Sequence, residues 1–139
     1  MTFDSTSIWA RRSFWIVTVF FAASMALSAV LYLTGAPSIQ DGFARLGYPQ
    51  YLLTILGIAK LLGAAALVQN SVPRLREWAY AGFTIDLIGA VASHVFAGDP
   101  MGIAAAPGFF LLPLFVSYVL RPDLPWRLGA GTHRVAATA

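Results

Sequence analysis

Lys60 and Asp86 are the residues best placed for chemistry, because each stands in the middle of a long apolar stretch. A charged side chain at the centre of a membrane helix costs about 2.5–3.5 kcal/mol on insertion scales, so it is retained for a reason. Near a helix end the cost is avoided by reaching to the headgroups, but Lys60 lies nine residues from both Tyr51 and Gln69. Each of the two lies thirteen residues from Pro73, one before it and one after. Antiparallel helices joined at Pro73 therefore set the two opposite charges at equal depth. Pairing offsets the desolvation that each would suffer alone. Such a pair is either a polar centre that receives a ligand or a staple that fixes the register of two helices.

Neighbouring residues extend that pattern. Gly57 and Gly63 flank Lys60 at helical spacing, and Gly82, Gly89 and Ser93 continue the Asp86 face, so close approach of two backbones is expected there. His94 follows Asp86 by eight residues, about 80° round a helix, with Asp99 just beyond. Asp86, His94 and Asp99 are expected to form a polar ladder from the midplane outwards, and histidine changes charge near neutral pH. The bland alternatives are a His94 bonded to a backbone carbonyl and an Asp99 serving only its Gly-Asp-Pro turn. Tyr48, Glu77, Trp78 and Tyr80 fall at the ends of apolar stretches, as do Trp9 and Trp15, where interfacial anchoring is the expected role.

The elements that must hold these residues are four apolar runs: Phe14 to Leu33, Tyr51 to Val68, Ala79 to Ala97 and Met101 to Leu120. About 20 residues of helix cross a hydrocarbon core of roughly 30 Å. The chain is 58% hydrophobic and 11% charged, too few charges to cover a water-facing surface when soluble domains carry about 25%. The runs are continuous, without the period-two alternation of a barrel. The fold expected is an all-α integral membrane four-helix bundle. Residues 1–13 form a cytoplasmic arm, 14–120 the transmembrane domain and 121–139 a loose tail. Residues 34–50 are the longest connection, with room for a short interfacial helix, and 69–78 form a polar hairpin. Pro107 and Pro113 are expected to kink the last run.

Seven arginines fall on one side of this topology: Arg11, Arg12, Arg74, Arg76, Arg121, Arg127 and Arg134. Arg45 alone falls on the other, so both termini are expected in the cytoplasm. The net charge of +3 is thus explained by topology, and no nucleic-acid partner is expected. Arg11-Arg12 before an apolar run resembles a secretory or twin-arginine signal. The run is longer than a signal core of about 7–15 residues, so it is expected to stay as a span.

Several chemistries lack their residues. There is no cysteine, which removes thiol catalysis, disulfides and Cys-ligated clusters. His94 and His133 are too few for a haem pair, and no HExxH, Glu-x-x-His or Gly-x-Ser-x-Gly motif is present. No metal is expected, and catalytic residues are not identifiable. A redox role would need a borrowed cofactor, for which a quinone is the candidate, or a partner subunit.

Leu46-Gly47-Tyr48-Pro49, Tyr51-Leu52 and the stretch Leu56-Gly57-Ile58-Ala59-Lys60-Leu61-Leu62-Gly63-Ala64 resemble the DoxX-like family of small bacterial membrane proteins. So does Leu75-Arg76-Glu77-Trp78-Ala79-Tyr80-Ala81-Gly82-Phe83, leading to Gly89-Ala90 and Ser93-His94. The resemblance spans residues 14–120 and implies a four-helix bundle in the bacterial inner (cytoplasmic) membrane. It further implies a link to quinol oxidase and thiosulfate:quinone oxidoreductase subunits, to redox stress or to membrane-protein assembly. It transfers no catalytic residue.

Three functions follow as expectations. The first is a redox-associated subunit, with a membrane redox partner, that binds a quinone or similar amphipathic molecule near the Lys60–Asp86 pair. The second is a small proton-coupled transporter element, which with four helices implies a homo-oligomer. The third is a structural or assembly partner without chemistry of its own.

Overall fold

The computed structural model describes residues 5–124, all helices and turns. α1 spans Ser5–Leu33, α2 Pro37–Arg45, α3 Tyr51–Val68, α4 Pro73–Phe96, α5 Met101–Phe109 and α6 Leu111–Val119. α1, α3, α4 and the α5–α6 pair are each long and apolar enough to cross a bilayer. α1 packs on α3 and α6, and α4 packs on α3, α5 and α6, which closes a four-crossing bundle. Its core joins Phe21 and Met25 of α1, Ala66 and Leu67 of α3, Phe83 and Leu87 of α4, and Leu114 of α6. Ile16, Phe20, Leu62, Ile85, Phe109 and Leu112 point outwards. In water such a surface would aggregate; in lipid it is the solvated face.

Helix boundaries differ from the sequence reading in instructive places. α4 begins at Pro73, six residues before its apolar run, because proline is pre-set for a first helical turn and lacks only an N–H that would be unpaired. The hairpin shrinks to residues 69–72. The Gln69 side chain closes it, accepting from Val72 N at 2.8 Å and donating to Val72 O at 2.8 Å. The expected helix in the long connection is α2, which rests on the bundle through buried Phe43. Just past α2 the chain turns at Gly47 (φ 78°), where Gly47 N bonds Ala44 O and Tyr48 N bonds Phe43 O. Only glycine takes that conformation without strain.

The fourth crossing is broken at Phe110, between α5 and α6. Pro113 accounts for the break, since it cannot bond the Phe109 carbonyl four residues back and its ring crowds that oxygen. The chain after α6 is not loose from its start: Arg121 and Leu124 are buried against the bundle. Arg127, His133, Arg134 and the rest of the expected tail lie outside the described residues, as do residues 1–4 of the arm.

Candidate functional site

On α3 the buried residues Leu53, Gly57, Lys60, Ala64 and Leu67 recur at three- and four-residue spacing, so Lys60 belongs to the inward stripe. On α4 that stripe is Arg76, Ala79, Tyr80, Phe83 and Leu87. Asp86 stands at its edge, three residues past Phe83. Lys60 Nζ donates to Asp86 Oδ2 across the α3–α4 contact. The Lys60 side chain is 8% exposed and that of Asp86 20%, so the carboxylate is the more accessible partner. The ring of Tyr32, on α1, has its centroid 5.5 Å from Lys60 Nζ. Tyr32 in turn meets Phe43 of α2 edge to face at 5.4 Å.

The glycines divide into two kinds. A Cβ on Gly57 would lie 2.7 Å from Leu33 Cγ and 3.3 Å from Ala29 O, so this glycine lets α3 approach α1. A Cβ on Gly63 would lie 2.8 Å from the Phe83 ring. Gly82 and Gly89 have nothing within 4 Å of a Cβ, so they do not carry the close approach expected of them. Gly82 instead keeps open a groove of about 400 Å³ on the outer face of α3 and α4. Apolar side chains line the groove, Leu75 and Trp78 stand towards its α4 N-terminal end, and Lys60 and Asp86 supply its charge. Gly57 is not part of it. Trp78 is 78% exposed, as an interfacial anchor would be.

The expected ladder is interrupted. His94 Nδ1 lies 2.6 Å from Asp99 Oδ2, and Arg45 Nη1 lies 3.3 Å from Asp99 Oδ1. Gly98 (φ 74°) turns the chain back so that Asp99 N bonds His94 O, which places the carboxylate beside the ring. Among the described residues, however, no hydrogen bond joins His94 to Asp86. Asp99 is thus more than a turn residue: it ties α2 to the end of α4. Tyr48 also reaches α4, with its hydroxyl 2.7 Å from Ser93 Oγ, which itself donates to Gly89 O.

Tyr80 lies inside the bundle rather than at its rim, and its hydroxyl belongs to a buried chain. Thr18 donates to Phe14 O at 2.6 Å, so Ser117 must donate to Thr18 (2.6 Å) and Tyr80 to Ser117 (2.6 Å). Below it, Arg121 donates to Glu77 and makes a two-pronged contact with Asp123 at 3.2 and 2.6 Å. Its guanidinium carbon lies 5.4 Å from the Tyr80 ring and 5.3 Å from the Tyr118 ring. Burial works against the Arg121 charge, but the bonds to Asp123 and Glu77 outweigh it and raise its pKa. The Arg121 hydrogen bond in turn holds the Asp123 carboxyl below its ordinary range. Arg76 Nη1 approaches Asp123 at 3.9 Å and its Nη2 bonds Gln69 O and Asn70 Oδ1 (2.8 Å to the latter). In the sequence these arginines signal topology. Their burial depends on the return of the chain beneath Tyr80, which spacing alone does not reveal.

Among the described residues no three His, Asp or Glu side chains converge as metal ligands would. Comparison with curated proteins and with solved structures found no match. The model of the DoxX-like family matches residues 16–117, a span that includes Lys60, Asp86 and His94, and with its four apolar crossings the chain is a multi-pass membrane protein that belongs to that family.

Proposed function

We propose that this protein is a redox-associated membrane subunit that binds a quinone or similar amphipathic molecule in the groove between α3 and α4. The observation that carries the reading is the placement of a charged pair in a groove otherwise lined by apolar side chains and open to lipid. Ligand sites are mostly apolar with a few placed polar groups, and about 400 Å³ suits a ring with a short tail. Lys60 and Asp86 are the polar centre of this reading, with Gly63 and Gly82 shaping the space. Residues 14–120 act as the membrane domain in the bacterial cytoplasmic membrane, with both termini on the cytoplasmic side as the arginine bias supports.

The test is protein purified into lipid nanodiscs, extracted with solvent for quinone and titrated with a short-chain quinone while the melting temperature is followed. Retained quinone, or a rise in melting temperature lost in Gly82→Leu, supports the reading. Gly82 has open space beyond its Cα, so leucine fills the groove without disturbing the core. No retained quinone and no shift would sink it.

A second reading has one observation in its favour. Lys60 is nearly covered, held between Asp86 and Tyr32, as a staple in an assembly partner would be. Lys60→Asp with Asp86→Lys separates the two. Restored folding with full cellular activity favours the staple; restored folding without activity favours the site.

A further inference from the structure

The carboxylate of Asp86 has two oxygens, and Lys60 uses one. Oδ2 accepts from Lys60 Nζ, whereas Oδ1 has no hydrogen-bond partner among the described residues. Among the described residues, the fully enclosed side-chain polar atom left without a partner is Arg76 Nε, so Asp86 Oδ1 is not sealed in protein. Asp86 lines the α3–α4 groove, and its side chain is more exposed than that of Lys60. The groove therefore presents an acceptor oxygen in a region where hydrocarbon offers no donor. Polar groups at that depth are satisfied by protein or by ligand.

Charge narrows what can satisfy it. Lys60 and Asp86 together are neutral, and the rest of the lining is uncharged. A cationic headgroup would leave a net positive charge near mid-membrane, and an anionic one a net negative charge. Both carry the desolvation penalty that the pair avoids. A neutral donor has no such penalty. The carbonyl oxygens of a quinone are acceptors only, so a quinone leaves Oδ1 unmet. The hydroxyl of the corresponding hydroquinone meets it.

Resting on the groove reading above, we propose that the site selects a neutral amphiphile with a hydroxyl donor, the reduced hydroquinone form over the quinone, through O–H donation to Asp86 Oδ1. The shared chemistry is a hydroxyl on an apolar body, which a long-chain alcohol or acylglycerol also carries, so the test includes one.

The full chain in nanodiscs is titrated with four probes, with Trp fluorescence and melting temperature as readouts: a short-chain quinone, its hydroquinone under anaerobic reductant, the hydroquinone dimethyl ether, and a long-chain alcohol. A hydrogen bond to a charged acceptor predicts that the hydroquinone binds at least about tenfold tighter than the quinone. The dimethyl ether, which keeps the ring but lacks the donor, is expected to match the quinone. An alcohol as tight as the hydroquinone supports the donor rule and assigns the ligand to hydroxyl lipids. A quinone or ether that binds as tightly as the hydroquinone overturns the donor rule and leaves the groove reading standing. If no probe binds, both fall. Gly82→Leu must abolish the binding seen, since binding that survives a filled groove lies elsewhere and overturns the assignment to Asp86.

Discussion

Lys60 Nζ lies 5.5 Å from the centroid of the Tyr32 ring, so an aromatic face from α1 completes the environment of a charge pair formed by α3 and α4. A desolvated cation over an aromatic face gains about 2 kcal/mol. Tyr32→Leu should lower stability by about that amount, while Tyr32→Phe, which keeps the face, should stay within about 0.5 kcal/mol of the native chain. Reversible unfolding in mixed micelles measures both. Equal losses would mean that the hydroxyl, not the ring face, is what matters.

The buried pair makes an asymmetric prediction. Lys60→Met alone leaves Asp86 without its cation, and Asp86→Leu alone leaves an ammonium under cover. Each should cost about 3–5 kcal/mol, whereas the double variant should come close to native stability. The coupling energy from that four-member cycle is the measurement. Additive losses would show that the two side chains contribute independently.

Much of this architecture is legible in the sequence. The four apolar crossings and the Lys60–Asp86 contact follow from run length and from equal distance to Pro73. Those are rules of helix rise and of lipid as solvent, which leave few alternatives. The faces of the glycines were not legible. Gly57 and Gly82 read alike in sequence, yet one meets Leu33 and the other faces open space, because the angle at which helices pack is set by all the side chains between them. The burial of Tyr80 is hidden for a similar reason. An amphipathic ring near a helix end suits the headgroup region, but here Ser117 supplies a partner inside the bundle.

That division of glycines is itself testable. Gly57→Ala should destabilise by about 1–3 kcal/mol, since its Cβ would press on Leu33 and on the Ala29 carbonyl, which is backbone and cannot rotate away. Gly82→Ala should be neutral or stabilise by up to about 1 kcal/mol, through helix propensity. Melting temperatures of the two variants side by side decide the matter. The reverse order would mean that α3 does not sit against α1 as described.

The hydroxyl chain from Tyr80 through Ser117 and Thr18 to the Phe14 carbonyl runs in one direction, because its last acceptor cannot donate. Ser117→Ala removes the acceptor of Tyr80 and the donor to Thr18 in a site that is 1% exposed. A loss of about 1–3 kcal/mol is expected, against less than about 1.5 kcal/mol for Tyr80→Phe, which removes only a donor. Chemical denaturation of each variant provides the comparison. A greater loss in Tyr80→Phe would mean that the chain is not held through Ser117.

Asp123 gives the bundle a pH dependence. The Arg121 hydrogen bond is the main cause that lowers its carboxyl below the ordinary 3.8, burial opposes it, and the charges of Arg121 and Arg76 add to the lowering. A carboxyl whose native pKa is depressed binds fewer protons folded than unfolded in the acid range. Its stabilisation is therefore complete above the unfolded value and disappears as pH falls through the native one. Arg121 stays protonated throughout, since its own pKa is raised, so the loss belongs to the carboxylate side of the contact. Asp123→Asn should accordingly be less stable at pH 7 and should lose less on acidification. The two stability curves should converge as pH falls below the ordinary carboxyl value of 3.8 and through the lowered native one. Glu77 is present in both proteins, so the difference between the curves isolates Asp123. Curves that stay parallel to the acid end would mean that Asp123 has the same proton affinity folded and unfolded, and that the Arg121 contact does not fasten the chain after α6.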